Sequence, residues 1–259
     1  MIFLARRGKA WYNYRCRKRR AAGITAAWRV ASGGIGVLNI GKRIVMDTFE
    51  ARKLNYEKAA KTVIANLKKR HMEGYYAADS GEALKIALSL IPEGSSVAWG
   101  GTQTCNDIGL IEAVKKGPYE AIDRLDARES REKFKEIYGK ICTCDYFLMS
   151  TNAITLDGEL VNIDRTGNRV SFLCFGPDNI IIVAGMNKLV ESLDEAISRA
   201  KNTAAPINAE RLDRKTPCTA AGKCGDCCSP DCICYNTVIT RQSDNGRVKV
   251  ILVGEELGF

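Results

Sequence analysis

VAWGGTQTCNDIGL, residues 97 to 110, is the stretch that decides the fold class. Its apolar opening reads as a buried strand, Gly100 and Gly101 stand where that strand ends, and Thr102, Thr104, Asn106 and Asp107 are residue types that open a helix. A strand passing through a glycine pair into a helix is the unit of an open α/β sheet, and such sheets bind ligands at the carboxyl ends of their strands. Glycine admits close backbone approach and free amides at a helix start favour an anion, so a phosphate or carboxylate is the expected ligand. A tight turn with polar capping is the competing reading of the same residues. The spacing matches neither GxGxxG nor the Walker pattern, so neither nucleotide fingerprint applies.

Upstream, residues 48 to 72 carry Leu54, Val63, Ile64 and Leu67 at near-helical spacing, ending at Gly74. A strand over 75–78, a helix over 80–90 and a turn at Pro92-Glu93-Gly94 follow. Downstream come a helix over 106–115, a strand near 119–124, a helix over 127–138 and a strand over 145–149. The alternation predicts an open, largely parallel sheet with helices on both faces. A β-hairpin stretch interrupts it: strands over 154–155, 159–163 and 170–175, with turns at Asp157-Gly158 and Thr166-Gly167-Asn168. The run NIIIVA, residues 179 to 184, reads as a buried strand leading into a helix over 187–202. Two strands, 237–241 and 248–253, close the chain around an Asp244-Asn245-Gly246 turn.

Ser150, Thr151 and Asn152 leave an apolar strand toward the same sheet edge as the glycine pair, which makes them the second candidate binding segment. Asn152, flanked by small residues, is expected to touch ligand. Asp157 and Asn168 read as turn formers. The single histidine, His71, lies in NLKKRHMEG and reads as a solvated cation at a helix end, so a His-dependent nucleophilic mechanism is not expected.

The chain holds 259 residues, 46% of them hydrophobic, with no apolar run near the roughly 18 that span a bilayer. Its net charge of +9 sits at one end. Residues 1–45 carry 11 of the 39 Lys and Arg and no acid, leaving 28 basic against 30 acidic side chains beyond. A nucleic-acid footprint would have to live in that leader alone. The leader reads as a basic arm, as an Arg-rich transit peptide, or as untranslated sequence read through from an early start. We take the last, because Gly41-Lys42-Arg43 can be encoded by purine-only codons just before Met46. Residues 46–259 then form a single domain.

Eleven cysteines without a secretory signal point to the reducing cytoplasm, where clustered thiols suggest metal. Cys142, Cys144 and Cys174 read as small buried hydrophobes, and Cys105 as a reactive thiol if the helix behind it lowers its pKa. Residues 216–236 are Cys-rich. Cys224 and Cys227 form a CxxC, and Cys218 and Cys234 can complete a four-thiolate set for zinc or an iron–sulfur cluster; a metal-free thiol switch stays open.

GGTQTCNDIGL, TNAITLDGELVNIDRTGNR and GPDNIIIVAGMNKLVESLDEAISRAKN, in this order, resemble the lactate-utilisation (LUD) domain family, which includes lactate-utilisation proteins B and C, over most of residues 48–254. The resemblance implies a fold related to the ribose-5-phosphate isomerase, glucosamine-6-phosphate deaminase and CoA-transferase group. It also implies a component of L-lactate oxidation to pyruvate, binding a small anionic metabolite and acting with iron–sulfur redox partners. Its Cys-rich branch favours Cys218, Cys224, Cys227 and Cys234 as ligands and leaves Cys228 and Cys232 as extras. It supplies no catalytic residue. The alternatives are a zinc-stabilised binding module without turnover and a sugar-phosphate or CoA-ester isomerase or transferase, for which Glu159 is the only nearby glutamate; an oligomer is compatible with each reading.

Overall fold

The computed structural model describes residues 38–40, 43–128, 130–244 and 246–259. The chain divides into two units, Met1–Asp47 and Thr48–Phe259. In the first, β1 (Leu38–Ile40) pairs antiparallel with β2 (Arg43–Val45). The readings of the leader otherwise fall outside the described residues.

The second unit is built on a six-stranded, all-parallel sheet. Its strands are β3 (Glu73–Ala77), β4 (Ser96–Trp99), β5 (Glu120–Ile122), β6 (Tyr146–Met149), β9 (Asn179–Gly185) and β12 (Val248–Val253), in the order β3-β12-β9-β6-β4-β5. A second sheet holds β7 (Ala153–Thr155), β8 (Leu160–Asp164), β10 (Leu189–Val190) and β11 (Asn236–Thr240), in the order β10-β7-β8-β11.

Alternation along the central strands shows why helices cover both faces. Ile180 and Ile182 join a core that includes α1 (Thr48–Lys69), α5 (Arg131–Cys142) and α6 (Asn168–Cys174). Ile181 and Val183 join the opposite core with α2 (Ser80–Ser89), α3 (Gln103–Asp107) and α4 (Leu110–Lys116). Side chains of a strand alternate faces, so NIIIVA with no polar residue after Asn179 has to be covered twice. A third core packs α7 (Leu193–Arg199) on the small sheet through Ala196.

Strand order reverses between β4 and β6. The chain leaves β4 for β5 on one side, and leaves β6 for β9 on the other, so the segments after β4 and β6 diverge and open a crevice.

Several local expectations are corrected. Residues 170–174 are helical, not a strand: Gly167 turns left-handed at φ 81, and Val170, Phe172 and Leu173 are buried by the helix that follows. Apolar positions i, i+2 and i+3 suit either period, and the turn decides. The helix expected over 187–202 begins only after Ser192, where a reciprocal capping box with Glu195 starts α7; before it lie a 3₁₀ turn, Met186–Lys188, and β10. It then continues through a π-helical turn, Ala200–Ala204, into α8 (Ala205–Arg211), and Pro206, which has no N–H to donate, follows directly on that turn. The closing strands do not form a hairpin. β12, buried on both faces, inserts between β3 and β9, whereas β11, alternately exposed, lies at the edge of the small sheet. The first long helix stops at Lys69, with the turn made by His71 at φ 58, and Gly74 belongs to β3. Among the described residues no helix is long and apolar enough to cross a membrane.

Candidate functional site

The crevice at the strand-order reversal holds a cavity of about 430 Å³. Three strand ends supply its floor: Gly101, Thr102 and Thr104 after β4, Ser150, Thr151 and Asn152 after β6, and Lys188 after β9. The two segments chosen from sequence therefore come together. Gly100 lies just behind the cavity, where an added Cβ would meet Arg169 Cγ at 3.0 Å. Asn106 and Asp107 do not line it. Both are exposed, and Asp107 instead accepts from Gln103 Nε2 at 2.8 Å and from the Gly258 amide at 3.0 Å.

The anion preference comes from side chains more than from backbone. Thr102 caps α3 by accepting from the Cys105 amide at 3.3 Å, and five residues of helix supply little dipole. Arg124, Arg165, Arg169, Lys188, Arg211 and Arg214 line the cavity, against one acidic side chain among the described residues, Asp164. These cations differ in availability. Arg169 is spent on structure: it donates to Ser150 O (2.9 Å), Asn162 Oδ1 (2.8 Å), Asn152 Oδ1 (3.1 Å) and Ile163 O (2.8 Å), and pairs with Asp164 at 3.5 Å. It ties the end of β6 to β8. The Arg124 side chain makes no hydrogen bond or ion pair with another described residue, and its Nη2 lies 3.0 Å from where a Cβ on Gly101 would stand. Glycine at 101 is what lets that guanidinium approach the strand end.

Asn152 is likewise a strut: Oδ1 accepts from the Ile163 amide at 2.8 Å as well as from Arg169, and its carbonyl accepts from Arg199. Thr151 donates within the loop, to Ala153 O at 2.8 Å or Val161 O at 3.1 Å. Ser150 and Thr104 face each other across Lys188, whose Nζ donates to Thr104 Oγ1 at 2.8 Å and Ser150 Oγ at 2.9 Å. Only 3% of Lys188 is exposed. Burial, reinforced by the Arg199 and Arg169 guanidinium groups, pushes its ammonium down to about 7.

Lys188 and Arg169 were missed in the sequence because one was placed in a helix and the other in a hairpin. The position rule that found Thr102 and Ser150 also applies to the residues after NIIIVAG, and it would have found Lys188. Glu159 pairs with Arg70 at 3.3 Å and Arg241 at 3.7 Å and does not line the cavity. Cys105 is corrected: it is fully buried, and desolvation pushes it up to about 11, which makes it a poor nucleophile. Cys174 is exposed, against expectation, while Cys144 is buried and Cys142 half-buried.

The four expected ligands, Cys218, Cys224, Cys227 and Cys234, line a separate small cavity of about 130 Å³ together with Cys232, whereas Cys228 is exposed and outside it. Backbone amides already point at two sulfurs: Asp226 N at 3.3 Å from Cys224 Sγ, with Asp226 left-handed at φ 50, and Cys234 N at 3.3 Å from Cys232 Sγ. Among the described residues no group of three or more His, Cys, Asp or Glu side chains is arranged to hold a metal ion. The donor chemistry and the common cavity suit a thiophilic metal, and the thiols would have to close further on one point to bind it.

The LUD domain family model matches residues 60–253. No curated protein matches the sequence. Among solved structures, the chain is similar to a DUF162 family protein from Deinococcus radiodurans (12% identity, TM-score 0.45, covering 78% of this chain and 98% of that one). It is also similar to eIF2B delta from Chaetomium thermophilum (14%, 0.30, 46% and 52%) and to ribose 5-phosphate isomerase from Plasmodium falciparum (16%, 0.28, 42% and 51%).

Proposed function

The chain belongs to the LUD domain family, and from that premise we propose that its cavity binds a small hydroxy or oxo acid as a component of lactate-type oxidation. The observation that carries this is the charge of the crevice: among the described residues, six cationic side chains line it against one acidic, and the Arg124 guanidinium beside Gly101 makes no hydrogen bond or ion pair with them. A carboxylate matches the planar donor fork of an arginine, and Thr102 lines the same cavity. Lactate and pyruvate are the smallest members of the class, and the volume leaves room for longer ones. Oxidising a hydroxy acid releases two electrons, and the chain's own side chains offer no acceptor for a pair of electrons in the cavity. The electrons would pass to a redox partner such as an iron–sulfur protein. Calorimetric titration with lactate, pyruvate, phosphate and ribose 5-phosphate tests the reading. Saturable binding of the hydroxy or oxo acid that weakens at least tenfold in Arg124→Ala supports it; preference for the phosphates, or no binding, would sink it.

We also propose that Cys218, Cys224, Cys227 and Cys234 hold one zinc ion or iron–sulfur cluster, a reading supported by their shared cavity and the Asp226 amide aimed at the Cys224 sulfur. Metal content and visible absorbance of anaerobically purified protein distinguish the two. Protein that is metal-free under those conditions contradicts both.

A further inference from the structure

A lysine amine buried without a carboxylate is unusual, since a buried charge is ordinarily paired. Lys188 has two partners, both hydroxyl oxygens. Two donated bonds use both N–H groups of a neutral amine and leave its one lone pair unspent. An ammonium would carry a third hydrogen for which no described residue offers an acceptor. The Arg199 and Arg169 guanidinium groups also disfavour protonation, against a smaller opposing pull from Asp107. The amine lines the cavity, and Gly258 passes over it so closely that an added Cβ would stand 3.2 Å from Nζ and 2.6 Å from Thr104 Oγ1. The arrangement excludes water from Nζ on one side and opens it to the cavity on the other.

We propose that Lys188 is a carbonyl-capturing residue, whose Nζ condenses with the carbonyl carbon of an oxo acid held in the cavity. The lone pair of Nζ forms the C–N bond while the carbonyl π pair moves to oxygen, which takes a proton released from the nitrogen. The resulting carbinolamine loses that oxygen as water, whose second proton is the one still held on the nitrogen, while the nitrogen lone pair closes the C=N bond. Ser150 and Thr104, each in hydrogen-bond contact with Nζ, are placed to relay these protons. No oxidant or reductant is consumed. The inference rests on the oxo-acid reading above, and it adds a covalent step on a defined atom.

The test uses the full chain, pyruvate and cyanoborohydride, which reduces an imine to a stable amine, followed by peptide mass mapping. The expected result is one adduct, on the peptide carrying Lys188, with the mass of pyruvate less one water plus two hydrogens. Lys188→Arg, which keeps a cation but cannot condense, loses it. An adduct spread over surface lysines, or none although calorimetry shows pyruvate bound, overturns the capture step and leaves the anion site standing. If pyruvate does not bind, formaldehyde with the same reductant is the probe. Selective methylation of Lys188, half-maximal near pH 7 as its lowered pKa requires, supports a capturing amine for another carbonyl. A rate at Lys188 no faster than at exposed lysines overturns the proposal.

Discussion

Arg169 and Lys188 show how differently two buried cations act in one crevice. Arg169 has four hydrogen-bond acceptors and a carboxylate, so truncation leaves several buried oxygens without donors. Arg169→Ala should cost about 3–5 kcal/mol in a denaturant melt; a loss below about 1 kcal/mol would show that the strut is dispensable. Lys188 has no such compensation. Its folded pKa of about 7 lies below the ordinary 10.5, so between those values the unfolded chain holds a proton that the folded chain has released. Stability then rises with pH across that window, and the whole burial cost is felt below it. Relative to Lys188→Met, the protein should therefore gain a few kcal/mol between about pH 6 and about pH 10. Parallel melts of the two across pH check this, and a constant gap would place the Lys188 pKa near its ordinary value.

The elements around the cavity were legible where a strand end and its polar followers sit together in sequence. VAWGGT and FLMSTN each carry their own evidence, and both lead to the crevice. Lys188 was open to the same strand-end rule and was passed over because Ser192 starts its helix late, whereas Arg169 was not legible, because its role depends on how Gly167 starts a helix early. Those choices are local, but the sequence periods they compete with are stronger signals. Placement of β12 between β3 and β9 was hidden for another reason: its neighbours come from distant parts of the chain. That insertion brings the tail back over the site. An added Cβ at Gly185 would stand 2.6 Å from the Leu257 amide nitrogen and 2.7 Å from the Glu255 carbonyl oxygen, atoms that cannot rotate away. Gly185→Ala should thus displace residues 255–258 and speed hydrogen exchange at the Leu257 amide by at least tenfold. Unchanged exchange there would mean that the tail does not depend on the close packing at Gly185.

For the molecule as a whole, the buried core begins at Ala60 among the described side chains, and the family match begins at the same residue. A chain starting at Met46 should keep one cooperative melt within a few degrees of the full-length protein. Loss of that transition would assign the leader a structural role. Cys224→Ser with Cys227→Ser should release bound metal and raise exchange in residues 216–236, while the sheet built from β3, β4, β5, β6, β9 and β12 melts as before. The central claim is that a hydroxy or oxo acid lies at the carboxyl ends of β4, β6 and β9. A crystal structure of the full chain grown with pyruvate addresses it most directly. The account predicts a carboxylate in hydrogen-bond contact with Arg124, and the carbonyl carbon bonded to Nζ of Lys188 or in van der Waals contact with it. An empty crevice at saturating pyruvate, or pyruvate bound elsewhere, would contradict it.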